Sequence, residues 1–293
     1  MTTFSKNDIP DLSGRRVIVT GANSGIGRCA AQALAGAGAQ VTLAVRNVQK
    51  GNEAAASMQA QAEVRQLDLA DLSSVREFAA GWQDEIYLLI NNAGIMIPPL
   101  SRTTDGFEMQ FGTNHLGHFA LTNLLLPKVS GRVVTVSSGM HSIGRIDFND
   151  LNWERKRYRR WPAYGQSKLA NLMFSSELQR RLSMAGSDVI STAAHPGYAA
   201  TNLQSRSGSR LTELMMGKIA NRLFAQDQEA GALPTLYAAV GEIPGAAYAG
   251  PSGFKELRGA PHLVGRSKRA FDEEVGKRLW SVSEELTGIT CPL

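Results

Sequence analysis

Cysteine is nearly missing from this chain of 293 residues: Cys29 and Cys291 are the only two, far apart in sequence. That excludes a disulfide framework or a tetrahedral cysteine zinc site within one chain, and a reducing compartment is the simpler expectation. His141, His195 and His262 lack metal-ligand spacing, so no metal is expected. No stretch approaches the ~20 apolar residues that span a bilayer. The opening MTTFSKNDIPDLSGRR holds no continuous apolar core of signal-peptide type, so the expectation is a cytoplasmic protein without an integral membrane segment. Neither sign of charge dominates, since 31 Lys and Arg against 26 Asp and Glu leave a formal +5. So small an excess assigns no anionic partner, and no nucleic acid is expected. Internal repeats and low-complexity tracts are lacking as well.

What is present is enough apolar material for a large core. With 43% hydrophobic residues, the chain is read as one domain over 1–293, its core about 14–201 and its substrate-side and C-terminal region about 202–293. Short apolar runs recur, VIVT before Gly21, Val41 to Val45, Val64 to Leu67, Ile86 to Ile90 and Arg132 to Ser137, with helical patterns between them. Such strands suit a sheet covered on both faces and joined by right-handed crossovers. The expected class is α/β: a Rossmann-like doubly wound parallel sheet, with a substrate-binding C-terminal lid. One helix is expected over Ile26 to Ala37 and another over about Ala163 to Ala185, followed by a strand in DVISTAA. Further helices are expected near Leu211 to Phe224, over Gln226 to Ala239, and in the run PHLVGRSKRAFDEEVGKRLWSVSEEL.

The first strand opens into Gly21-Ala22-Asn23-Ser24-Gly25-Ile26-Gly27. Glycine serves where φ is positive, and the missing Cβ lets backbone N–H groups and a helix N-terminus approach a pyrophosphate. Asp68 lies just past the third strand, where its carboxylate or the neighbouring backbone could meet an adenine. Asn91, Asn92, Ala93 and Gly94 follow the fourth, at the strand ends where doubly wound sheets bind ligands. The two asparagines could equally only satisfy turn backbone.

Tyr164 and Lys168 stand four residues apart, so a phenol and an ammonium project from one helix face. A phenol titrates near ~10, and bringing it towards ~7 needs about 4 kcal/mol of differential stabilisation of the phenolate. Lys168 and an oxidised nicotinamide together could supply it. Ser137 and Ser138 end the fifth strand at the mouth of the same crevice, and Ser138 is the preferred partner for a substrate oxygen. Asn114 sits in an apolar helix, where a polar amide organises a bent backbone or a water, or is purely structural.

Together, TGANSGIG, NNAG, the Asn114 helix, Ser138, Tyr164-x-x-x-Lys168 and His195-Pro196-Gly197 resemble the short-chain dehydrogenase/reductase family, from Gly14 to about Thr201. The narrower likeness is to its retinol-dehydrogenase-like branch, including WW-domain-oxidoreductase relatives. The resemblance implies Tyr164 as general acid/base, Lys168 holding the nicotinamide ribose and lowering the tyrosine pKa, Ser138 positioning the substrate oxygen, and Asn114 supporting a proton-relay water. Around a dinucleotide it implies Gly21, Gly25 and Gly27 at the pyrophosphate, with Asn23, Ser24 and Ile26 of the same turn also expected to bind the cofactor, and Asp68 and Leu69 at adenine. It places Asn92, Ala93 and Gly94 on the adenosine ribose side, and Pro196, Gly197 and Thr201 at the nicotinamide end. It also favours a homodimer or homotetramer.

Arg46, directly after the second strand, is expected to pair with the 2′-phosphate of NADP(H) by charge-assisted bonds where an acidic residue would repel it, with Asn47 or Ser24 as a further donor. The expected function is therefore hydride transfer between NADP(H) and a fairly apolar alcohol or carbonyl small molecule. The alternative is a non-catalytic dinucleotide-binding sensor or scaffold. Ser138 and Tyr164 are separated by an insertion holding WERKRYRRW, Trp153 to Trp161, which is given no site. Specificity is expected around Ile95 to Ser101, Ser142 to Trp161 and Tyr198 to Phe224.

Overall fold

A computed structural model describes residues 4–58, 60, 62–197 and 227–293. Eight strands are described: β1 Arg16–Thr20, β2 Gln40–Val45, β3 Ala62–Gln66, β4 Ile86–Asn91, β5 Val129–Val136, β6 Ile190–Ala194, β7 Tyr248–Pro251 and β8 Pro261–Leu263. They form one sheet in the order β3-β2-β1-β4-β5-β6-β7-β8, parallel throughout except for β7 with β8. The helices are α1 Gly25–Gly36, α2 Val48–Ala56, α3 Leu72–Ala80, α4 Met109–Phe111, α5 Gly117–Leu125, α6 Arg160–Met184, α7 Gln228–Val240 and α8 Glu273–Thr287. This is the doubly wound α/β class that alternating apolar runs and helices predict.

Two hydrophobic cores lie on opposite faces of the sheet. On one, α3, α5, α6 and α8 bury Phe78, Phe119, Phe174 and Trp280. Trp280 stacks on Phe174 at 5.5 Å and meets Phe119 edge-on at 5.0 Å. On the other, α1 and α7 bury small residues such as Ala30, Ala31, Ala232 and Ala239, which let helices lie close to the strands. Arg132 ties α7 down by donating from Nη1 to the carbonyls of Ala238 and Gly241, 2.7 and 3.1 Å away, which satisfies acceptors at that helix's C-terminal end.

Two expected boundaries shift for local reasons. The long helix α6 begins at Arg160 rather than at Ala163, because Pro162 sits in its first turn, where the missing N–H breaks no helical bond. The expected C-terminal helix is instead three pieces: the antiparallel strand β8, a 3₁₀ turn over Lys268–Phe271, and α8, started by the Asp272 side chain accepting from the Val275 N–H. Thr201, Met215, Met216 and the expected helix near Leu211 to Phe224 lie outside the described residues. No helix among the described residues is long and apolar enough to cross a membrane.

Candidate active site

β1 lies between β2 and β4, and the strand order reverses there, so the carboxyl ends of β1 and β4 open a crevice. Its floor depends on missing side chains. Gly21 has φ +67°, and a Cβ there would stand 2.9 Å from the Cα of Ala93; a Cβ on Gly27 would stand 2.3 Å from the Asn92 amide nitrogen. Gly25, with φ +60°, turns the chain into α1. Ser24 occupies the N-cap of α1 but makes no capping bond with its side chain, so its hydroxyl and the first N–H groups of the helix are left for an anion. Asn23 and Ile26 flank it in the same turn and first helical turn. These features fit a dinucleotide pyrophosphate.

Arg46 is exposed at the end of β2, without an ion-pair partner among the described residues, and Asn47 caps α2 by accepting from the Lys50 N–H at 2.9 Å. Asp68 is committed locally: its carboxylate accepts from the Ala70 N–H at 2.9 Å, and its own N–H donates to Ser74 Oγ. Leu69 is buried beneath α5, where a Cβ on Gly117 would come within 2.3 Å of the Leu69 carbonyl oxygen. Asn92 braces two loops, its amide donating to the Thr20 carbonyl at 2.7 Å. Pro196 and Gly197 follow β6, and the Gly197 N–H donates to His195 Nδ1 at 3.2 Å.

At the far end of the crevice, Tyr164 and Lys168 lie in the first turns of α6, both almost fully buried, with the ammonium 5.8 Å from the centre of the phenol ring. Lys168 Nζ donates to the Val136 carbonyl at 3.1 Å, and Ser137 Oγ donates to the Lys168 carbonyl at 2.7 Å, which fastens the helix to the end of β5. Ser138 comes next and starts the 3₁₀ turn Gly139–Ile143 by accepting from the Met140 N–H. A Cβ on Gly94 would lie 3.2 Å from Asn114 Oδ1 and 3.5 Å from Lys168 Nζ. Ser138, Tyr164, Lys168, Asn114 and Gly94 thus converge.

Asn114 is the middle residue of a π-helical stretch, Gly112–Leu116, between α4 and α5. That is the bent backbone its placement in an apolar helix anticipates. Its Oδ1 accepts from the Ile95 N–H at 2.8 Å, and its amide donates to the Ile95 carbonyl and to Ser167 Oγ at 3.0 and 2.9 Å. Both amide donors are therefore used, and only an Oδ1 lone pair is left for a water.

Burial acts on both titrating groups and opposes charge on each. It pushes the Tyr164 phenol up to about 12, with the Ser138 hydroxyl pulling it back, and lowers the Lys168 ammonium to about 8. At neutral pH the site therefore holds a protonated phenol beside a cationic lysine. Such a pair can give a proton to an oxygen and then stabilise the phenolate that remains.

Sequence reasoning missed Thr20 and His118. Thr20 Oγ1 accepts from the N–H groups of both Asn92 and Ala93 at 2.9 Å and lies 2.9 Å from His118 Nε2. His118 Nδ1 stands 3.0 Å from the Asn114 carbonyl, which can only accept, so Nδ1 carries the proton and Nε2 accepts from the threonine hydroxyl. Burial lowers His118 to about 4 and keeps it neutral for this role. Its spacing of four residues from Asn114, one helical turn, is the signal that could have found it.

A family model described as short chain dehydrogenase matches residues 15–211. Human retinol dehydrogenase 13 is 43% identical over 98% of this chain and 88% of its own length, and human retinol dehydrogenase 12 is 42% identical over 95% and 88%. A crystal structure of an uncharacterized protein from Mycobacterium paratuberculosis is 50% identical over 100% of both chains, with a TM-score of 0.88. A short chain dehydrogenase from Burkholderia cenocepacia, solved in complex with NADP, is 20% identical over 81% of this chain and 96% of its own, and shares the fold at a TM-score of 0.63. The chain belongs to the short-chain dehydrogenase family, oxidoreductases of alcohol and carbonyl groups that use a nicotinamide cofactor. Within it, the likeness to the retinol dehydrogenases sets the chain in the retinol-dehydrogenase-like branch.

Proposed function

We propose that this chain is an NADP(H)-dependent oxidoreductase of a fairly apolar alcohol or carbonyl, of the retinol kind that its relatives' names carry. The observation that carries the reading is the buried Tyr164 and Lys168 pair beside Ser138, at the end of a crevice whose other end presents Arg46. A bound nicotinamide supplies or receives the hydride. Tyr164 gives its phenolic proton to the substrate oxygen in reduction and takes it back in oxidation. Ser138 hydrogen-bonds that oxygen, and Lys168 stabilises the phenolate and holds the ribose. Asn114 keeps Ile95 in place and offers Oδ1 to a water. Gly21, Asn23, Ser24, Gly25, Ile26 and Gly27 surround the pyrophosphate, Asp68 and Leu69 the adenine, Asn92 to Gly94 the adenosine ribose, and Pro196 and Gly197 the nicotinamide end; Thr201 belongs with the last two. Arg46 and Asn47 meet the 2′-phosphate.

The whole chain is taken as one catalytic domain. The test follows NADPH and NADH oxidation with retinal and with a panel of smaller aldehydes, ketones and quinones. Turnover of at least one carbonyl, faster with NADPH, is the expected result. Tight NADPH binding with every carbonyl inert would favour a dinucleotide-binding sensor instead.

A further inference from the structure

The insertion between Ser138 and Tyr164 has no role in the reading above, yet it reaches into the protein at one point that matters for it. Along 155–159 the exposed arginines Arg155, Arg157 and Arg159 alternate with Lys156 and Tyr158, which turn inward. Lys156 lies over the Trp153 ring and pairs with Asp147 at 2.9 Å. The Tyr158 hydroxyl enters a buried polar cluster with Glu108 and Gln110, both wholly buried side chains at the start of α4. Tyr158 donates to Glu108 Oε1 at 2.8 Å and accepts from Gln110 Nε2 at 3.0 Å. The other oxygen of Glu108 accepts from the Phe111 N–H at 2.7 Å.

Gln110 is the hub of this cluster. Its Oε1 accepts from the Ile97 N–H at 2.8 Å, and its amide nitrogen also donates to the Arg160 carbonyl at 3.1 Å. Ile97 is a β-branched residue held at φ +49°, a conformation that such residues rarely adopt without outside support. Arg160 is the first residue of α6, and in the helical pattern its carbonyl is the acceptor for the N–H of Tyr164. One buried amide therefore fixes both the strained segment after Gly94 and Ile95 and the helical turn that carries the phenol.

We propose that Gln110, oriented by Tyr158 of the insertion and by Glu108, is a positioning residue that holds the substrate-side wall at Ile97 in register with the turn of α6 bearing Tyr164. The cluster acts through the residues it holds: it sets the distance between the wall against which a carbonyl would rest and the proton that would meet it. The inference rests on the proposed catalytic role of Tyr164, but its own observable is the coupling of two segments.

Two variants test it, Tyr158→Phe, which removes one hydroxyl and keeps the ring against Trp153, and Gln110→Met, which keeps the volume of the side chain. The probe is whichever of retinal and benzaldehyde the wild-type chain reduces faster with NADPH. A misplaced wall is expected to raise KM for that aldehyde about tenfold in Gln110→Met, and by less in Tyr158→Phe, while KM for NADPH stays within about twofold. A merely structural weakening lowers kcat through the active fraction and leaves KM for the aldehyde where it was, and that result overturns the proposal. Amide hydrogen exchange on the NADPH complex gives a readout that needs no turnover. Faster exchange at Ile97 and Tyr164 together, with the 21–27 loop unchanged, supports the coupling. Exchange that rises at neither, or at only one of them, overturns it even if the chain reduces no aldehyde.

Discussion

At the scale of single residues, the site is a matter of where charge is tolerated. Tyr164→Phe keeps the ring and removes only the transferable proton, so carbonyl reduction should fall by about 10²–10⁴-fold while NADPH binding, read by fluorescence titration, is retained. Near-normal turnover would remove the phenol from its assigned role. Lys168 titrates near 8 when folded against 10.5 for an ordinary lysine, so the native state carries a penalised charge below pH 8. Between these values the unfolded chain binds more protons than the native one, and the penalty fades as pH rises. Lys168→Met should accordingly gain stability over wild type near neutrality, and urea midpoints of the cofactor-free proteins should show that advantage narrowing from pH 8 towards 10.5. A gap independent of pH would mean the ammonium is not penalised. Arg46→Asp replaces attraction by repulsion and should cost about 2 to 4 kcal/mol in relative binding of NADP(H) over NAD(H), checked by titrating both cofactors. An unchanged ratio would clear Arg46 of any part in the choice. These residues were legible because each sits at a fixed step from a strand end or along one helix face. Thr20 was not, because a strand threonine carries no mark until the fold brings 20 and 118 within hydrogen-bonding reach, and His118 offered only its one-turn spacing from Asn114.

Among the elements, the insertion is attached to α6 by near contact of backbones. A Cβ on Gly144 would fall 2.2 Å from the carbonyl oxygen of Gly165, the neighbour of Tyr164, and neither backbone can yield. Gly144→Ala should therefore displace the 139–143 turn from the helix, lowering both melting temperature and turnover by well over the effect of a surface change, typically ±0.5 kcal/mol. Gly139→Ala, where an added Cβ meets nothing within 4 Å, is the matched control and should keep its melting temperature. Equal behaviour of the two would argue that the turn is not seated as described. Apolar runs and glycine turns predicted the first six strands and the helices around them, since burial on both faces leaves a plain mark in sequence. β8 left none: Pro261–Leu263 is a three-residue edge strand whose pairing with β7 comes from tertiary position rather than from periodicity. The π-helical stretch at Asn114 was legible only in part, because a polar amide in an apolar helix marks a bend and not the widened turn that makes it.

Over the whole molecule, α8 closes the face of the sheet that carries α5 and α6. Its Trp280 is buried between Phe119 and Phe174, with the Arg181 guanidinium 4.5 Å from its ring centre. Trp280→Ala should destabilise the protein by about 3–5 kcal/mol, measured by urea unfolding; a loss under 1 kcal/mol would mean that α8 contributes little to this core. The Asn114 stretch, α6, Tyr164 and Lys168 belong with that aromatic core, whereas the glycine-rich turn runs into α1, which rests on the alanine-lined core beneath the opposite face. Among the described residues the sheet is thus a partition between two workshops that meet at the carboxyl ends of its strands. Heritable damage should divide the same way: lesions under α1 and α7 would surface as enzymes starved of dinucleotide, which excess cofactor can rescue, and lesions under α5, α6 and α8 as enzymes slow in proton transfer, which excess cofactor restores only as far as the lost ribose contact of Lys168 accounts for.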